Sequence, residues 1–267
     1  MNFIEALQTY APRGKNFNSL PSTFKDFDDV FGGFPQYGLV SILGNHNSKL
    51  ESFTWSILSN YVGNYQMSNI LYLNFRGDIH ERTIIKHLRS IILDMPYDKL
   101  CNVDKWKQED YDIYDNIVNR EVLRNETCFK TLFIESIFET DLNSIKKNLY
   151  GYVRDNGIKV IIIDDFTHIL NATEGHDIND VLSMLKDLCS YYHVTIILNI
   201  VDDSKQDEIM YHSNLVINIV SSNTRVDESN ELMEVKVLKN DFGRDEGSIK
   251  LYYNKITRGI YSQPHLT

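Results

Sequence analysis

The segment Gly44–Glu51 carries the residue types of a phosphate-binding loop in an altered pattern. It reads G-N-H-N-S-K-L-E and lies between an apolar strand and a helix. A working loop, G-x-x-x-x-G-K-[ST], cradles phosphates with backbone N–H groups, while its lysine reaches the β/γ oxygens and its hydroxyl holds Mg²⁺. Here the second glycine is missing, Leu50 or Glu51 stands at the hydroxyl position, and the loop is one residue short if Lys49 is the motif lysine. We therefore predict that the loop has lost its phosphate-binding chemistry.

A pair of carboxylates follows the most apolar strand of the chain. The segment Ile158–Ile163 is apolar at five of six positions and ends in Asp164 and Asp165. This profile is typical of a central strand, and ligands bind at the carboxyl edge of open α/β sheets. Asp164 is therefore a candidate metal ligand, although an acid in this position also commonly caps the following turn. A Mg²⁺ ion held by one or two carboxylates usually needs nucleotide phosphates as well.

The elements around these residues alternate between apolar strands and amphipathic helices. This alternation predicts an α/β fold with a central, mostly parallel sheet flanked by helices, followed by antiparallel C-terminal strands. Asp141 and Asp177 are predicted to cap two of the helices. We expect a short lead over 1–16 and a single domain over 17–262. The predicted strands are Leu39–Leu43, Ile70–Phe75, Thr131–Ile134, Ile158–Ile163, Thr195–Val201, Leu215–Val220, Leu232–Leu238 and Ser248–Tyr253.

Composition narrows the possible functions. The 267 residues carry a net charge of -10, so the mean field repels phosphate backbones and argues against direct nucleic-acid binding. The three cysteines form no C-x-x-C pair and the eight histidines no metal-ligand spacing, which predicts reduced thiols and no dedicated metal site. No apolar run approaches the ~20 residues of a membrane span. We expect a cytoplasmic protein without a membrane contact.

Four blocks, taken in order, resemble the C-terminal RecA-like domain of DnaB-type replicative helicases. Leu20–Phe34 is similar to the family's L-P-T-G-F-x-D-L-D-x-x-x-G-G-L block, and Ile70–Phe75 to its strand ending in S-L-E. Val160–Leu170 is similar to its Walker B block, I-x-I-D-Y-L-Q-L. Val235–Asn240 with Gly247–Leu251 is similar to its K-N-R and G-T-V-K-L blocks. The resemblance runs from about residue 17 to residue 260 and implies a RecA-like P-loop NTPase fold.

The same resemblance implies that the family's catalytic groups are missing. Arg76 stands in place of the glutamate that polarises the attacking water, and a cation cannot act as that base. Asp241 stands in place of the arginine finger, where an acid would repel the γ-phosphate. No catalytic residue is therefore expected at these two degenerate positions. The remaining, vestigial nucleotide-binding positions are Gly44, Ser48, Lys49, Asp164 and Lys239.

Three functions remain open at this point. The first is a degenerate, inactive relative of the helicase motor, a pseudo-ATPase that binds or regulates other proteins in DNA replication or mobile-element DNA processing. Its partner would be a helicase, another replication protein or a second copy docked through RecA-type interfaces, and it would need no cofactor. The second is a divergent DNA helicase or ATPase that uses ATP and Mg²⁺ through Lys49 and Asp164. The third is a non-hydrolysing nucleic-acid binder that uses Arg82, Lys86 and Arg89, which share a helix face at spacing i, i+4, i+7.

Overall fold

The computed structural model describes residues 19–45, 48–63, 69–75, 81–116, 132–137, 141–167, 177–201 and 205–264, with the single positions 119 and 169. The strands are β1 (Ser19–Leu20), β2 (Phe34–Pro35), β3 (Leu39–Gly44), β4 (Ile70–Asn74), β5 (Leu132–Ser136), β6 (Val160–Asp164), β7 (Thr195–Ile200), β8 (Leu215–Arg225), β9 (Asn230–Asn240), β10 (Gly247–Asn254) and β11 (Ile260–Tyr261). The helices are α1 (Lys25–Phe31), α2 (Leu50–Gly63), α3 (Glu81–Ile92), α4 (Tyr97–Cys101), α5 (Leu142–Asn156), α6 (Ile178–Tyr192) and α7 (Gln206–His212). Residues 108–116 are also helical.

Nine of the strands form one sheet in the order β11-β10-β9-β8-β3-β7-β6-β4-β5. Strands β5, β4, β6, β7, β3 and β8 pair in parallel, whereas β8 to β11 pair antiparallel. The predicted mostly parallel sheet with antiparallel C-terminal strands is thus confirmed. Strand β8 is the junction, because it pairs in parallel with β3 and antiparallel with β9.

The inner parallel strands are buried on both faces, as their continuous apolar sequences predict, whereas the edge strand β5 is half-buried. Every residue of β4, β6 and β7 is buried. The alternating side chains of these strands divide the core into two clusters, one on each face of the sheet. Helices α2 and α3 contribute to the cluster with Phe53 and Ile84, and helices α5 and α6 to the cluster with Leu149 and Leu185.

Local sequence signals set the helix boundaries. The carboxylate of Asp141 accepts a hydrogen bond from the backbone N–H of Ser144 at 2.9 Å, and that of Asp177 accepts one from Asn179 at 3.4 Å. Both predicted caps are confirmed, because these carboxylates satisfy N–H groups that the first helical turn leaves unpaired. Helices α1, α4 and α7 have five to seven residues and were not predicted, since such short segments show little helical periodicity.

Within the described ranges, no helix combines the length and the apolar character that a membrane crossing requires.

Candidate functional site at the carboxyl edge of the sheet

Strands β3, β4, β6 and β7 run in parallel, so their C-terminal residues lie side by side at one edge, here called the carboxyl edge. In register, Asn74 lies opposite Asp164, and Leu43 lies opposite Ile200. The loop that follows Gly44 leaves from the same edge and leads into α2. The fold therefore brings Gly44, Ser48, Lys49 and Asp164 to one region, as a nucleotide site of this fold type requires.

Ser48 makes hydrogen bonds within the loop that follows β3. Its backbone N–H donates to the carbonyl of Asn45 at 2.9 Å, and its hydroxyl donates to the same carbonyl at 2.7 Å. The side chain is fully buried and lies directly against Gly44, where an added Cβ would contact the Ser48 Oγ. A larger residue at position 44 would therefore require the Ser48 side chain to move. The hydroxyl of Ser48 is already donated to the loop's own backbone.

The backbone at Lys49 identifies the position that this residue occupies in the loop. Lys49 has a φ of 63°, in the left-handed region that favours glycine. Counted from Gly44, it stands where the consensus loop has its second glycine, and α2 begins at the next residue. Leu50, which is buried, then takes the place of the motif lysine, and Glu51 that of the Ser/Thr hydroxyl. With this alignment the loop has the consensus length, but no residue supplies the consensus lysine or hydroxyl.

The Lys49 side chain contacts a residue outside the loop. Its Nζ lies 4.8 Å from the centroid of the Tyr253 ring on β10, a cation–π contact. This contact directs the ammonium group toward the antiparallel half of the sheet.

Asp164 is the centre of a buried polar network. Its side chain is 1% exposed, and its two carboxylate oxygens accept hydrogen bonds from different strands. The Tyr72 hydroxyl on β4 donates to Oδ2 at 2.7 Å, and the Asn199 Nδ2 on β7 donates to Oδ1 at 3.1 Å. Burial, followed by the charge of Asp164, raises the pKa of Tyr72 well above its ordinary value. The tyrosine therefore stays protonated and acts as the donor to the carboxylate.

Helix α2 supplies the outer members of this network. The Trp55 Nε1 donates to the Tyr72 hydroxyl at 3.0 Å, and the Thr54 hydroxyl donates to the Asn199 Oδ1 at 2.6 Å. Asp164 is thus held from both sides by neutral donors that are themselves positioned by the helix after the loop. Such a network stabilises a buried carboxylate without a metal ion.

Trp55 also belongs to an aromatic stack that leads away from the site. The His87 ring lies between Trp55 and Tyr97, with ring centroids 3.9 and 4.0 Å apart, and the Arg258 guanidinium lies 4.0 Å from the Tyr97 centroid. Burial, and then the charge of Arg258, lowers the pKa of His87 to about 3. His87 is therefore a neutral member of the core at physiological pH.

The arrangement fits a catalytic Mg²⁺ ion poorly. In P-loop enzymes the ion is held by the loop hydroxyl and the Walker B aspartate. Here the loop position carries Glu51, and both Asp164 oxygens already accept hydrogen bonds from Tyr72 and Asn199. No group of three or more His, Cys, Asp or Glu side chains in the described part of the chain could hold a metal ion.

Lys239 and Asp241 lie at the opposite edge of the sheet. Strand β9 ends at Asn240, which pairs with Leu215 at the beginning of β8. The Lys239 Nζ donates to the carbonyls of Met210 at 2.8 Å and Ser213 at 2.7 Å, at the C-terminal end of α7. Lys239 is therefore separated from the predicted nucleotide-binding positions at the carboxyl edge. Its ammonium group instead caps the C-terminal end of α7.

Asp241 also makes hydrogen bonds within this chain, both with Asn214. Its backbone N–H donates to the Asn214 carbonyl at 2.9 Å, and the Asn214 Nδ2 donates to its Oδ2 at 3.3 Å.

Arg76, like His46 and Asn47 of the loop, lies outside the described residues. On α3, Arg82 and Arg89 are exposed and Lys86 is half-buried. The Arg89 guanidinium lies 6.0 Å from the centroid of the Tyr114 ring.

Sequence reasoning missed Tyr72, Trp55 and Thr54 as members of the site. Tyr72 is the one polar-tipped residue in the apolar run before Asn74, and a buried tyrosine hydroxyl usually requires a partner. That signal indicates a hydrogen bond, but only the pairing of β4 with β6 shows that the partner is Asp164.

The strand order, the loop and helix after β3 and the acid at the end of β6 define the RecA-like fold of helicase ATPase domains. Two solved structures share it. The first, an ATPase domain, is 14% identical over 98% of this chain and 97% of that one, with a TM-score of 0.79. The second, a DnaB-like replicative helicase described with its interactions with primase, is 14% identical over 97% of this chain, with a TM-score of 0.77. The chain spans 65% of that helicase's length.

No protein-family model and no curated protein matches the sequence. The resemblance to DnaB-like ATPase domains is confirmed at the level of the fold. At 14% identity, function must be argued from the site itself.

Proposed function

We propose that this chain is a non-hydrolysing relative of helicase motor domains that acts as a binding or regulatory module in DNA replication or mobile-element DNA processing. The observation that carries the proposal is the state of Asp164. The carboxylate that would face a metal ion in an active site is here 1% exposed, and it accepts hydrogen bonds from Tyr72 and Asn199 in the core.

The loop supports the same proposal independently. Ser48 fills the space beside Gly44, Lys49 takes the place of a glycine and Leu50 takes the place of the motif lysine. Restoring phosphate binding would require changes at several positions, and each carries a different role in phosphoryl transfer. By contrast, the sheet and both core clusters are intact. A chain that keeps its core and has lost its reactive groups is best explained by a function of its surface.

The partner that we propose is a protein of the replication machinery, such as an active helicase subunit or a primase. The DnaB-like helicase of similar fold was described with its interactions with primase, which supports this class of partner. We propose no resident nucleotide or metal ion.

Phosphate release measured under multiple-turnover conditions tests the absence of hydrolysis. The protein would be assayed alone, with single-stranded DNA and with a DnaB-type helicase from the same cell. We expect no ATP turnover above that of the Asp164→Asn variant, and retained binding to the helicase or to its primase. DNA- or protein-stimulated turnover that Asp164→Asn abolishes would instead establish the divergent ATPase.

A nucleic-acid-binding role has one supporting observation, the exposure of Arg82 and Arg89 on α3. If this face binds a phosphate backbone, binding will weaken steeply with salt and will be lost in Lys86→Glu. Salt-insensitive or absent binding would exclude it.

A further inference from the structure

The outer face of α5 carries cations and a tyrosine on the side of the sheet where α5 and α6 pack. Lys146, Lys147 and Arg154 are exposed on this helix, and Tyr150 is half-buried. Side chains four residues apart lie on one face of a helix, so Lys146, Tyr150 and Arg154 form a continuous stripe. A surface groove follows this stripe and is lined by side chains from residues 143–156.

Ring contacts join this stripe to the end of α6. The Lys146 Nζ lies 5.6 Å from the centroid of the Tyr150 ring, which lies 5.3 Å from the centroid of the Tyr192 ring. The Tyr191 and Tyr192 centroids are 5.0 Å apart, and the Arg154 guanidinium interacts electrostatically with Tyr192. These five residues, with Lys147 of the same groove, therefore form one contiguous surface, here called the α5–α6 patch.

Gly151 leaves a notch in the middle of the patch. A glycine inside a helix is less stable than an alanine, so its presence there needs a reason. Apart from its chain neighbours and the backbone of its own helix, a Cβ added at Gly151 would meet no atom of the described residues within 4 Å. Packing among the described residues therefore does not require this glycine. The missing side chain leaves room for a group from outside the chain.

The net charge around the patch is opposite to that of the chain. Residues 143–159 and 183–193 carry five bases and two acids, a net charge of +3, whereas the whole chain carries -10. The charged residues are Lys146, Lys147, Arg154, Lys159 and Lys186 against Asp155 and Asp187. The Arg154–Asp155 ion pair is mostly exposed, so it contributes little and can be exchanged for another anion. This region therefore attracts an anionic group that the mean field of the chain repels.

We infer that the α5–α6 patch binds a short acidic segment of a protein partner, in which carboxylates flank an aromatic or aliphatic side chain. The lysines and Arg154 pair with the carboxylates. The Tyr191 ring, which is 80% exposed, packs against the apolar side chain. The inference rests on the proposed function, because it names the surface and the chemistry through which a replication protein is bound.

A single-stranded nucleic acid fits the patch less well. Such a ligand needs open aromatic faces for its bases and a long track of cations for its backbone. Lys146 lies over the Tyr150 ring, and Tyr192 packs against both Tyr150 and Tyr191, so Tyr191 alone of the three rings is mostly exposed. Beyond the patch, a long polyanion would meet the negative field of the chain.

Fluorescence anisotropy with a labelled, end-blocked peptide tests the inference. The peptide Gly-Asp-Asp-Leu-Asp-Asp-Phe-Asp-Gly supplies carboxylates around two apolar side chains, and its control carries Asn in place of every Asp. We expect saturable, salt-sensitive binding of the acidic peptide with a dissociation constant on the order of 100 μM. The Asn peptide and a labelled oligothymidylate of similar length should bind at least about tenfold more weakly.

Two double variants separate the patch from the total charge of the chain. Lys146→Glu, Lys147→Glu should weaken binding of the acidic peptide about tenfold or more, because two attractive pairs become repulsive. Lys105→Glu, Lys107→Glu is the matched control. It makes the same change in net charge at two exposed lysines beyond α4, which follows α3 on the other face of the sheet. The control should keep the dissociation constant within about twofold.

Gly151→Glu separates binding from folding. Glutamate favours a helix more than glycine does, so the melting temperature should not fall. Its side chain fills the notch with a negative charge and should weaken binding of the acidic peptide about tenfold. Unchanged binding in this variant or in the Lys146→Glu, Lys147→Glu variant would overturn the inference. So would a lack of saturation at millimolar peptide, or equally tight binding of the oligothymidylate.

The outcome is distinguishable from that of the hydrolysis assay. A helicase or primase that binds the wild-type chain and the Lys146→Glu, Lys147→Glu variant equally well would overturn the inference and leave the proposed function standing. ATP turnover would overturn the proposed function, whereas loss of peptide binding in the same variant would still establish the patch.

Discussion

Removing the hydroxyl of Tyr72 tests whether neutral donors hold Asp164 in the folded core. In Tyr72→Phe, one oxygen of the buried carboxylate loses its 2.7 Å donor, and the Trp55 Nε1 loses its 3.0 Å acceptor. A hydrogen bond to a charged group contributes about 1.5–3 kcal/mol, and a buried donor left unpaired costs about 1–3 kcal/mol more. Because the two effects share one hydroxyl, we expect a loss of about 3 kcal/mol in the free energy of unfolding.

Urea denaturation followed by fluorescence of the two tryptophans measures this loss directly. For 267 residues the same change lowers the melting temperature by about 5 °C. Tyr61→Phe is the matched control, because the buried Tyr61 donates to a neutral carbonyl, that of Pro21, at 2.8 Å. We expect the control to lose about 1 kcal/mol. A Tyr72→Phe loss no greater than that of Tyr61→Phe would refute the role assigned to the Tyr72 hydroxyl.

Three further predictions follow from the same structure. Lys49→Gly should be about 1 kcal/mol more stable than Lys49→Ala in urea denaturation, because both lose the Tyr253 contact but only glycine relieves the left-handed backbone. Lys239→Met should lower the free energy of unfolding by about 1–2 kcal/mol, because two carbonyls at the end of α7, including that of Ser213, lose their donor. Burial lowers the pKa of His87 from 6.5 to about 3, so between these pH values His87 is protonated in the unfolded chain and neutral in the folded chain. The free energy of unfolding is therefore highest above pH 6.5 and falls as the pH falls toward 3, by about 2 kcal/mol at pH 5. Urea denaturation of His87→Phe at the same pH values should not show this loss.

The sequence predicted the sheet because its strands are continuous apolar runs with polar ends. The predicted strand Ile158–Ile163 overlaps β6 (Val160–Asp164), beginning two residues early and ending one residue short, and Asp141 and Asp177 marked two helix starts through their side-chain chemistry. These signals are local, so they can be read without knowledge of the partners. Short helix α7 carried no such signal because its seven residues contain too few turns for a periodic pattern.

The candidate site was predicted in position but not in its contacts. Asp164 was correctly placed at the end of a central strand, whereas its donors Tyr72 and Asn199 are 92 and 35 residues away in the chain. The role of Lys49 was also beyond the sequence, because only its positive φ shows that it occupies the glycine position. Contacts between distant strands and backbone angles follow from tertiary packing, which a single sequence does not encode locally.

Equilibrium titration of the purified protein with a fluorescent ATP analogue, with and without Mg²⁺ and up to millimolar concentration, tests the central claim most directly. Because Ser48 closes the loop and Asp164 is held by Tyr72 and Asn199, we predict no saturable binding under either condition. Saturable, Mg²⁺-dependent binding that Asp164→Asn removes would contradict the account, because it would show that this carboxylate still serves a bound nucleotide.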